Sequence, residues 1–394
     1  MKKHTTWASL FLALVIAIVP TLPPATAAEK LTFKDVPSSH WAASSINTAV
    51  QAGILNGYTD GTFKPENSIT RAELIKVVAV TTGLFIPDRK SGQAWYGPYH
   101  SAVKGAGISM DGDFGSSDLN KPATRGEMAK LFVRAAKTEY RNQKLSANEL
   151  MFRAVNAGLL SRTGKKAESI EPNGQTTRAQ AAALIVRLMK LRNGESLTVD
   201  QGASSAAEIA WHRHNLITMW GQTDLKTLPY KIPINSRYEE SIEQLIVIDP
   251  LDENGLYNEY LEGAEHGTNY KTGSYVFAFK LKGRSLVAKP GTGESIGQVY
   301  LYVEDRGSAL FMNRKFGYRD GKVIDRPGIF FNMQMLELTK AGEAGYNFYF
   351  LSVHRDYVQS QIQNYGVFPI RLIRYSDQKA FYLTSVGIRG QKVD

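Results

Sequence analysis

The stretch "ITRAE", Ile69-Thr70-Arg71-Ala72-Glu73, returns as Ala123-Thr124-Arg125-Gly126-Glu127 and again as Thr176-Thr177-Arg178-Ala179-Gln180. Each copy precedes an apolar run with helical spacing; in the first copy the run holds Leu74, Ile75, Val77, Val78 and Leu84. A threonine followed three residues later by an acid or amide has the form of a capping box. The hydroxyl accepts from the third helical amide, and the acid reaches back to the amide of the threonine. Such a cap is worth about 1 kcal/mol, so Thr70 and Glu73, Thr124 and Glu127, and Thr177 and Gln180 have a structural reason to recur. The arginine has none of this kind. It stands at the first helical position, where the helix dipole is positive and mildly disfavours a cation. Two partners fit its return. One is a bound anion, held by the helix N-terminus and the guanidinium fork. The other is an acid of a neighbouring unit. The anion reading expects Arg71→Ala to weaken ligand binding and Thr70→Ala to lower stability.

The spacing of other landmarks defines the repeat. Trp41 precedes Gly53 by 12 residues and Trp95 precedes Gly107 by the same number (53 − 41 = 107 − 95 = 12). The arginines are 125 − 71 = 54 and 178 − 125 = 53 residues apart. The units cover residues 31–86, 87–139 and 140–192, and the third is degenerate because no tryptophan precedes Gly158 at that distance. Each reads as helix, loop, helix. In the first, Trp41, Ile46, Ala49 and Val50 fall near one helical face, Gly53 suits a left-handed helix end, and Asp60-Gly61 and Pro65 give turn chemistry. One such unit cannot bury its apolar face alone, so the three are expected to pack together around their second helices.

With these residues in place, the stretch "FKDVPSSHWAASSINTAVQAGILNGYTDGTFKPENSITRAE" strongly resembles the S-layer homology repeat. It has the F-x-D-V opening, the H-W pair, the G-I…G-Y-x-D-G-x-F-x-P loop and the closing I-T-R-A-E. The second unit keeps Trp95, Gly107-Ile108 and Thr124-Arg125-Gly126-Glu127 but lacks the opening and has a rearranged loop. The third keeps Ala154, Gly158, Pro172 and Thr177-Arg178-Ala179. The resemblance implies an all-α, pseudo-threefold bundle of three units. It further implies non-covalent anchoring of an exported protein to an anionic secondary polysaccharide of the bacterial cell wall, often pyruvylated, through grooves between units. By that resemblance Arg71, Arg125 and Arg178 line the grooves with Trp41, Trp95 and Asp35. From the residues alone, Trp41 and Trp95 fit a core as well as a sugar-stacking surface, and Asp35 also fits a cap of the first helix.

The start of the chain agrees with export. Lys2 and Lys3, the apolar run Trp7–Val19 and the small residues Ala25-Thr26-Ala27 read as a signal peptide over residues 1–28. No later stretch is apolar enough to span a bilayer, so no transmembrane segment is expected in the mature chain. There is no cysteine, which excludes disulfides and cysteine–zinc sites. The formal charge is +10, or +10 − 2 = +8 without Lys2 and Lys3, and it suits an anionic partner. The export signal argues against nucleic acid.

Beyond the repeats, residues 193–208 are small, polar and glycine-containing and read as a linker, with a short helix around "AAEIAWHRHNLITMW" leading out of it. In residues 209–394 the pattern changes: three stretches alternate with period two, and four more are apolar, aromatic and β-branched runs. "SYVFAFKLK", "QVYLYVE", "FPIRLIRY", "EQLIVID", "IFFNMQMLEL", "YNFYFLSV" and "AFYLTSV" predict a mainly antiparallel, all-β sandwich or barrel, a separate domain with no family resemblance, whose tyrosines suit the filling and edging of an ordinary sheet first and a protein or glycan partner second. No catalytic set, metal set or cofactor motif emerges. His354-Arg355-Asp356 lacks the remaining kinase elements in order. The last glycine of "GTGESIG" falls one place late for a dinucleotide fingerprint. His212 with His214 and Glu265 with His266 are pairs without a third ligand, and Glu304-Asp305 face opposite sides of a strand. The leading expectation is a wall-anchored surface protein in the S-layer region of the cell. The alternatives are a wall-active hydrolase or esterase and a structural S-layer-like subunit.

Overall fold

The computed structural model describes residues 32–115, 117–164, 170–252, 257, 261, 264–265, 273–287, 299–304, 309–313, 317–319, 322–323, 344–374 and 377–393. The signal-peptide residues and the strand expected at "IFFNMQMLEL" lie outside them. The repeats contribute three helix pairs: α1 (Ala43–Gln51) and α2 (Arg71–Thr81), α3 (Gly97–Gly105) and α4 (Arg125–Ala136), α5 (Ala147–Asn156) and α6 (Arg178–Arg192). All three capping boxes form, with Thr70, Thr124 and Thr177 accepting from the amides of Glu73, Glu127 and Gln180. Gly53, Gly107 and Gly158 end the first helices at φ of +68°, +69° and +72°, a region open to glycine. The first helix of each unit packs on the second helix of another: α3 on α2, α5 on α4 and α1 on α6.

A ring of main-chain hydrogen bonds joins the units where the second helices begin. The Ile69 amide donates to Thr176 O, the Thr176 amide to Ala123 O, and the Ala123 amide to Ile69 O. Two residues on, the Arg71, Arg125 and Arg178 amides donate to Lys121 O, Gly174 O and Asn67 O. The next amides, of Ala72, Gly126 and Ala179, donate to Leu119 O, Pro172 O and Pro65 O. The first amides of a helix have no partner within it. Here each is satisfied by a carbonyl of another unit or by the capping box. No amide of these helix starts is left to hold an anion.

The arginine side chains continue the same connection. Arg71, Arg125 and Arg178 are 7%, 5% and 4% exposed. Arg71 grips Glu127 through Nε and Nη2, the latter at 2.7 Å, and its Nη1 donates to Asp118 O. Arg125 donates to Ile170 O and Ser161 O. Arg178 donates to Phe63 O and Asn56 O and lies 3.4 Å from Glu73 Oε1. Each arginine therefore crosses to the loop of another unit. Of the two partners left open by the sequence, the neighbouring acid is present for Arg71 and Arg178, and backbone carbonyls complete all three sets. Burial alone would push the Glu127 carboxyl up. The Arg71 guanidinium and the Gly115 and Thr124 amides outweigh that and hold it below the usual carboxylate range.

Two expectations for the rest of the chain need correction. Residues 193–208 are not a linker: α7 (Gln201–His212) starts within them, capped by Asp200, and Gly202 to Ile209 are buried. Its glycine, alanines and serines allow close approach to α5. Phe152 meets Trp211 at 5.4 Å, and Asn148 donates to Ala210 O. A second short helix, α8 (Leu216–Trp220), follows a left-handed Arg213. The C-terminal half is also not all-β. It contains α9 (Arg355–Tyr365), where Val358 and Ile362 lie one turn apart and Gly366 ends the helix at positive φ.

The remainder is antiparallel. Strands β1 (Tyr230–Asn235), β2 (Tyr238–Ile248), β3 (Ala264–Glu265), β4 (Ser274–Ser285), β6 (Ala309–Asn313) and β9 (Ala344–His354) form a sheet ordered β1-β2-β4-β9-β6-β3. Alongside β9 lie β7 (Gly317–Arg319) and its partner β8 (Lys322–Val323). A second sheet is ordered β11 (Ala380–Tyr382), β10 (Arg371–Arg374), β5 (Val299–Tyr302). Both faces of the large sheet are apolar near its centre. Leu245, Phe277 and Leu351 share a core with Leu372 of β10, while Ile246, Val276 and Phe350 share another with Ile209 of α7. Glu208, fully buried in α7, accepts from the amides of Ile217 and Thr218 and lies 3.0 Å from His214 Nδ1. The Asn215 side chain exchanges two hydrogen bonds with the backbone of Val247.

Three outcomes follow from this packing. Arg71→Ala leaves the Glu127 charge buried without its partner and should lower stability by about 3–5 kcal/mol, against about 1 kcal/mol for Thr70→Ala, in urea melts. The Glu127 contribution is fully present above the unfolded glutamate pKa of about 4.3 and is lost as pH falls through the depressed folded value. Glu127→Gln should therefore flatten the decline in stability between neutral and acid pH. A fragment of residues 32–212 should melt well above one of residues 32–192, which exposes Phe152; equal melting temperatures would show that α7 adds nothing to the repeats.

Candidate functional site

Among the described residues, a groove of about 220 Å³ lies between the first and second units. It is lined by the loop Ile54–Tyr58, by Glu73, Lys76 and Val77 of α2, and by Trp95. Arg178 of the third unit, almost fully buried, completes the lining. The sequence places these groups for separate reasons. Gly53 turns the chain out of α1 and lays the loop over Arg178. Lys76 follows Glu73 by three residues and so lies beside it on α2. Trp95 precedes α3, which rests on α2.

The groove joins an aromatic surface to positive charge. Trp95 is 42% and Tyr58 40% exposed, which sets aside a core role for this tryptophan. The Arg178 guanidinium lies 5.1 Å from the Tyr58 ring and 4.6 Å from the Phe63 ring. Lys64 Nζ stands 4.1 Å from the Tyr58 ring. Two cations, Arg178 and Lys76, face one carboxylate, Glu73, which is already engaged with the Thr70 amide and Arg178. An aromatic edge beside a small surplus of positive charge can stack a sugar ring and accept an anionic substituent.

Of the six residues expected from the sequence, Trp95 and Arg178 come together here. Arg71 and Arg125 lie at the equivalent positions of other units, buried among their loop partners. Trp41 stands before α1 rather than on its buried face, 64% exposed and stacked on His40. Asp35 neither caps α1 nor enters the groove. Its carboxylate accepts from the amides of Phe63 and Lys64 and clasps the loop to the start of the unit. Burial opposes its ionisation, but those two hydrogen bonds prevail and hold the carboxyl below its ordinary range.

Lys76 and Tyr58 are the groove residues that sequence reasoning missed. The signal was the repeat itself, since Lys76 recurs as Lys130 (76 + 54) and is replaced by Ala183 (130 + 53). Lys130 donates to Asp113 O. In the third unit Asp200 clasps Arg162 through its amide and guanidinium, and Arg187 reaches toward Leu159 O and Ser161 Oγ. The equivalent loops are thus closed by different groups. The histidines considered as metal ligands, His212 and His214, stack on one another at 5.3 Å, and no group of three ligating side chains occurs among the described residues. No described helix is long and apolar enough to cross a membrane.

Comparison with known proteins finds partial matches. The chain is 32% identical over 199 residues to an uncharacterized cell wall amidase of Bacillus anthracis, covering 46% of this chain and 36% of that protein. It is 32% identical over 198 residues to the S-layer protein sap of the same organism, covering 46% and 24%. A cellulosome-anchoring protein of Acetivibrio thermocellus is 51% identical over 47 residues, 12% of this chain and 10% of that protein. The chain thus spans well under half the length of these relatives. The family model for the S-layer homology domain matches residues 32–75, from the strap carrying Asp35 through Arg71 and Glu73. The chain carries an S-layer homology domain at residues 32–75.

Proposed function

We propose that the repeats anchor a secreted cell-surface protein non-covalently to the bacterial cell wall. They do so by binding an anionic secondary polysaccharide in the groove between Trp95 and Arg178. The observation that carries this reading is the meeting of an exposed tryptophan with Lys76 and a buried arginine edge over a backbone loop. In this reading the three units form a pseudo-threefold bundle, supported by the closed ring of Ile69, Ala123 and Thr176 hydrogen bonds. Trp95 stacks on a sugar ring, while Lys76 and Arg178 receive a carboxylate such as a pyruvyl group. Arg71, Arg125 and Asp35 act on binding through the loops they hold, and Trp41 offers a second stacking surface.

The C-terminal half is the displayed module, read as a sandwich because one apolar core takes residues from both sheets. The wall amidase similarity keeps a wall-active hydrolase as the second reading, since that protein shares sequence with under half of this chain. A structural S-layer-like subunit ranks behind it. Cosedimentation with purified walls tests the anchoring. Trp95→Ala should reduce retention on the order of tenfold, about 1.4 kcal/mol, without changing the melting temperature. Lys76→Ala should lower both the retention and its salt dependence. Undiminished retention of both variants, or equal retention on walls stripped of the secondary polymer, would remove this groove from the anchoring.

A further inference from the structure

The first two units superpose in sequence at a constant offset of 54, through Trp41 and Trp95, Gly53 and Gly107, and Arg71 and Arg125. The hydrogen bonds keep that offset, for Arg178 N donates to Asn67 O where Arg71 N donates to Lys121 O. The offset assigns a counterpart to every side chain that seals the outer side of the first unit. There Phe33 lies 5.5 Å from Phe63, which is fully buried, and presses so closely on Gly57 that a Cβ there would strike its ring. Ile46 of α1 is also fully buried, and Val50 lies partly buried one turn on.

In the second unit every one of these groups changes character. Phe63 becomes Ser117, Ile46 becomes His100, Val50 becomes Lys104 and Gly57 becomes Asp111. Phe33 becomes Pro87, which is exposed. The aspartate fits only because no ring occupies the space above it. The result is a cavity of about 290 Å³, lined by His100, Lys104, Asp111 and Ser117, with Phe114 and Leu119 among its apolar walls. It shares the loop residues Ser109–Gly112 with the second unit's copy of the anchoring groove but not the rest of that copy. That copy would use Glu127, Lys130 and Arg71, none of which lines it.

We propose that this cavity is a binding site for one uncharged sugar residue of a glycan. Lys104 Nζ and Asp111 Oδ1 are 2.8 Å apart, so the pair is electrically balanced and offers donors and an acceptor side by side. Burial, then Lys104, pushes the His100 imidazole below its ordinary range, which keeps it neutral and able both to donate and to accept. Ser117 adds a hydroxyl, and Phe114 supplies an aromatic wall. Paired donors and acceptors beside an aromatic wall match sugar hydroxyls and a sugar face, whereas a balanced ion pair gives no net attraction to an anion. The proposal does not depend on the anchoring groove.

The test uses the mature full chain, with the His100 ring protons followed by NMR during titration with glucose, N-acetylglucosamine and N-acetylmannosamine. Inorganic phosphate serves as the anion probe. At least one sugar should shift the His100 signals saturably. His100→Ile and Ser117→Phe, which restore the residues of the first unit, should each weaken that sugar by tenfold or more, read for His100→Ile from the Phe114 ring signals. Trp95→Ala should leave it unchanged. Unaltered melting of His100→Ile separates lost binding from lost folding if Ser117→Phe fails to fold. The site is overturned if no sugar shifts His100, if phosphate alone does, or if the shift persists unweakened in the His100→Ile or folded Ser117→Phe protein.

Discussion

Everything in the repeat module depends on how three helix N-termini are satisfied at once. A helix start carries amides with no partner in its own helix, and burying three starts together would be prohibitive if they stayed unpaired. The chain solves this by letting the units complete one another. Ile69, Ala123 and Thr176 donate in a closed circuit, the next amides take carbonyls of another unit, and the capping boxes take the rest. The arginine follows from the same constraint. Placed at the first helical position, its side chain leaves the helix toward the adjoining loop and ties down carbonyls there, such as Asn56 O and Ser161 O. That is why a cation persists where the dipole disfavours it.

In the proposed function, stability and recognition are therefore separated within a few residues of each other. Arg178 is nearly all structural, yet it completes the lining of the groove whose accessible parts are Trp95, Lys76 and Tyr58. Arg178 holds the loop Ile54–Tyr58 through Asn56 O. The second and third units keep the ring but diverge around it. Ser117, His100 and Lys104 open the second unit, and Asp200 with Arg162 closes the third. An internal frame shared by the three units, with differing outer loops, gives one repeat several different surfaces.

What the sequence made legible was local. The capping boxes could be read because both partners lie within one turn, and Gly53 because glycine suits a left-handed helix end, a role its repeat counterparts Gly107 and Gly158 share. The strands β4 and β10 were visible in their alternation, and β2 and β9 in their apolar and aromatic runs. The arginine partners were hidden because most are backbone carbonyls more than thirty residues away, which no side-chain pattern marks, as with Ser161 O for Arg125. The start of helix α7 was hidden because Gly202, Ala203, Ser204 and Ser205 have the composition of a linker and reveal their packing only against α5, whereas its end and α8 fall within the helix expected at "AAEIAWHRHNLITMW". Helix α9 is short and mostly polar, with one fully buried side chain, Val358. In the groove Trp95 was readable, while Lys76 required the repeat offset to be followed past the motif.

The central claim is that the three helix starts form one cooperative unit. Native-state hydrogen exchange of the Ile69, Ala123 and Thr176 amides tests it most directly. If the ring opens only when the repeats unfold, all three amides should exchange with a single free energy equal to that of global unfolding of the module, and Arg71→Ala should lower all three together. Independent exchange, with one amide opening locally while the other two stay protected, would contradict the account.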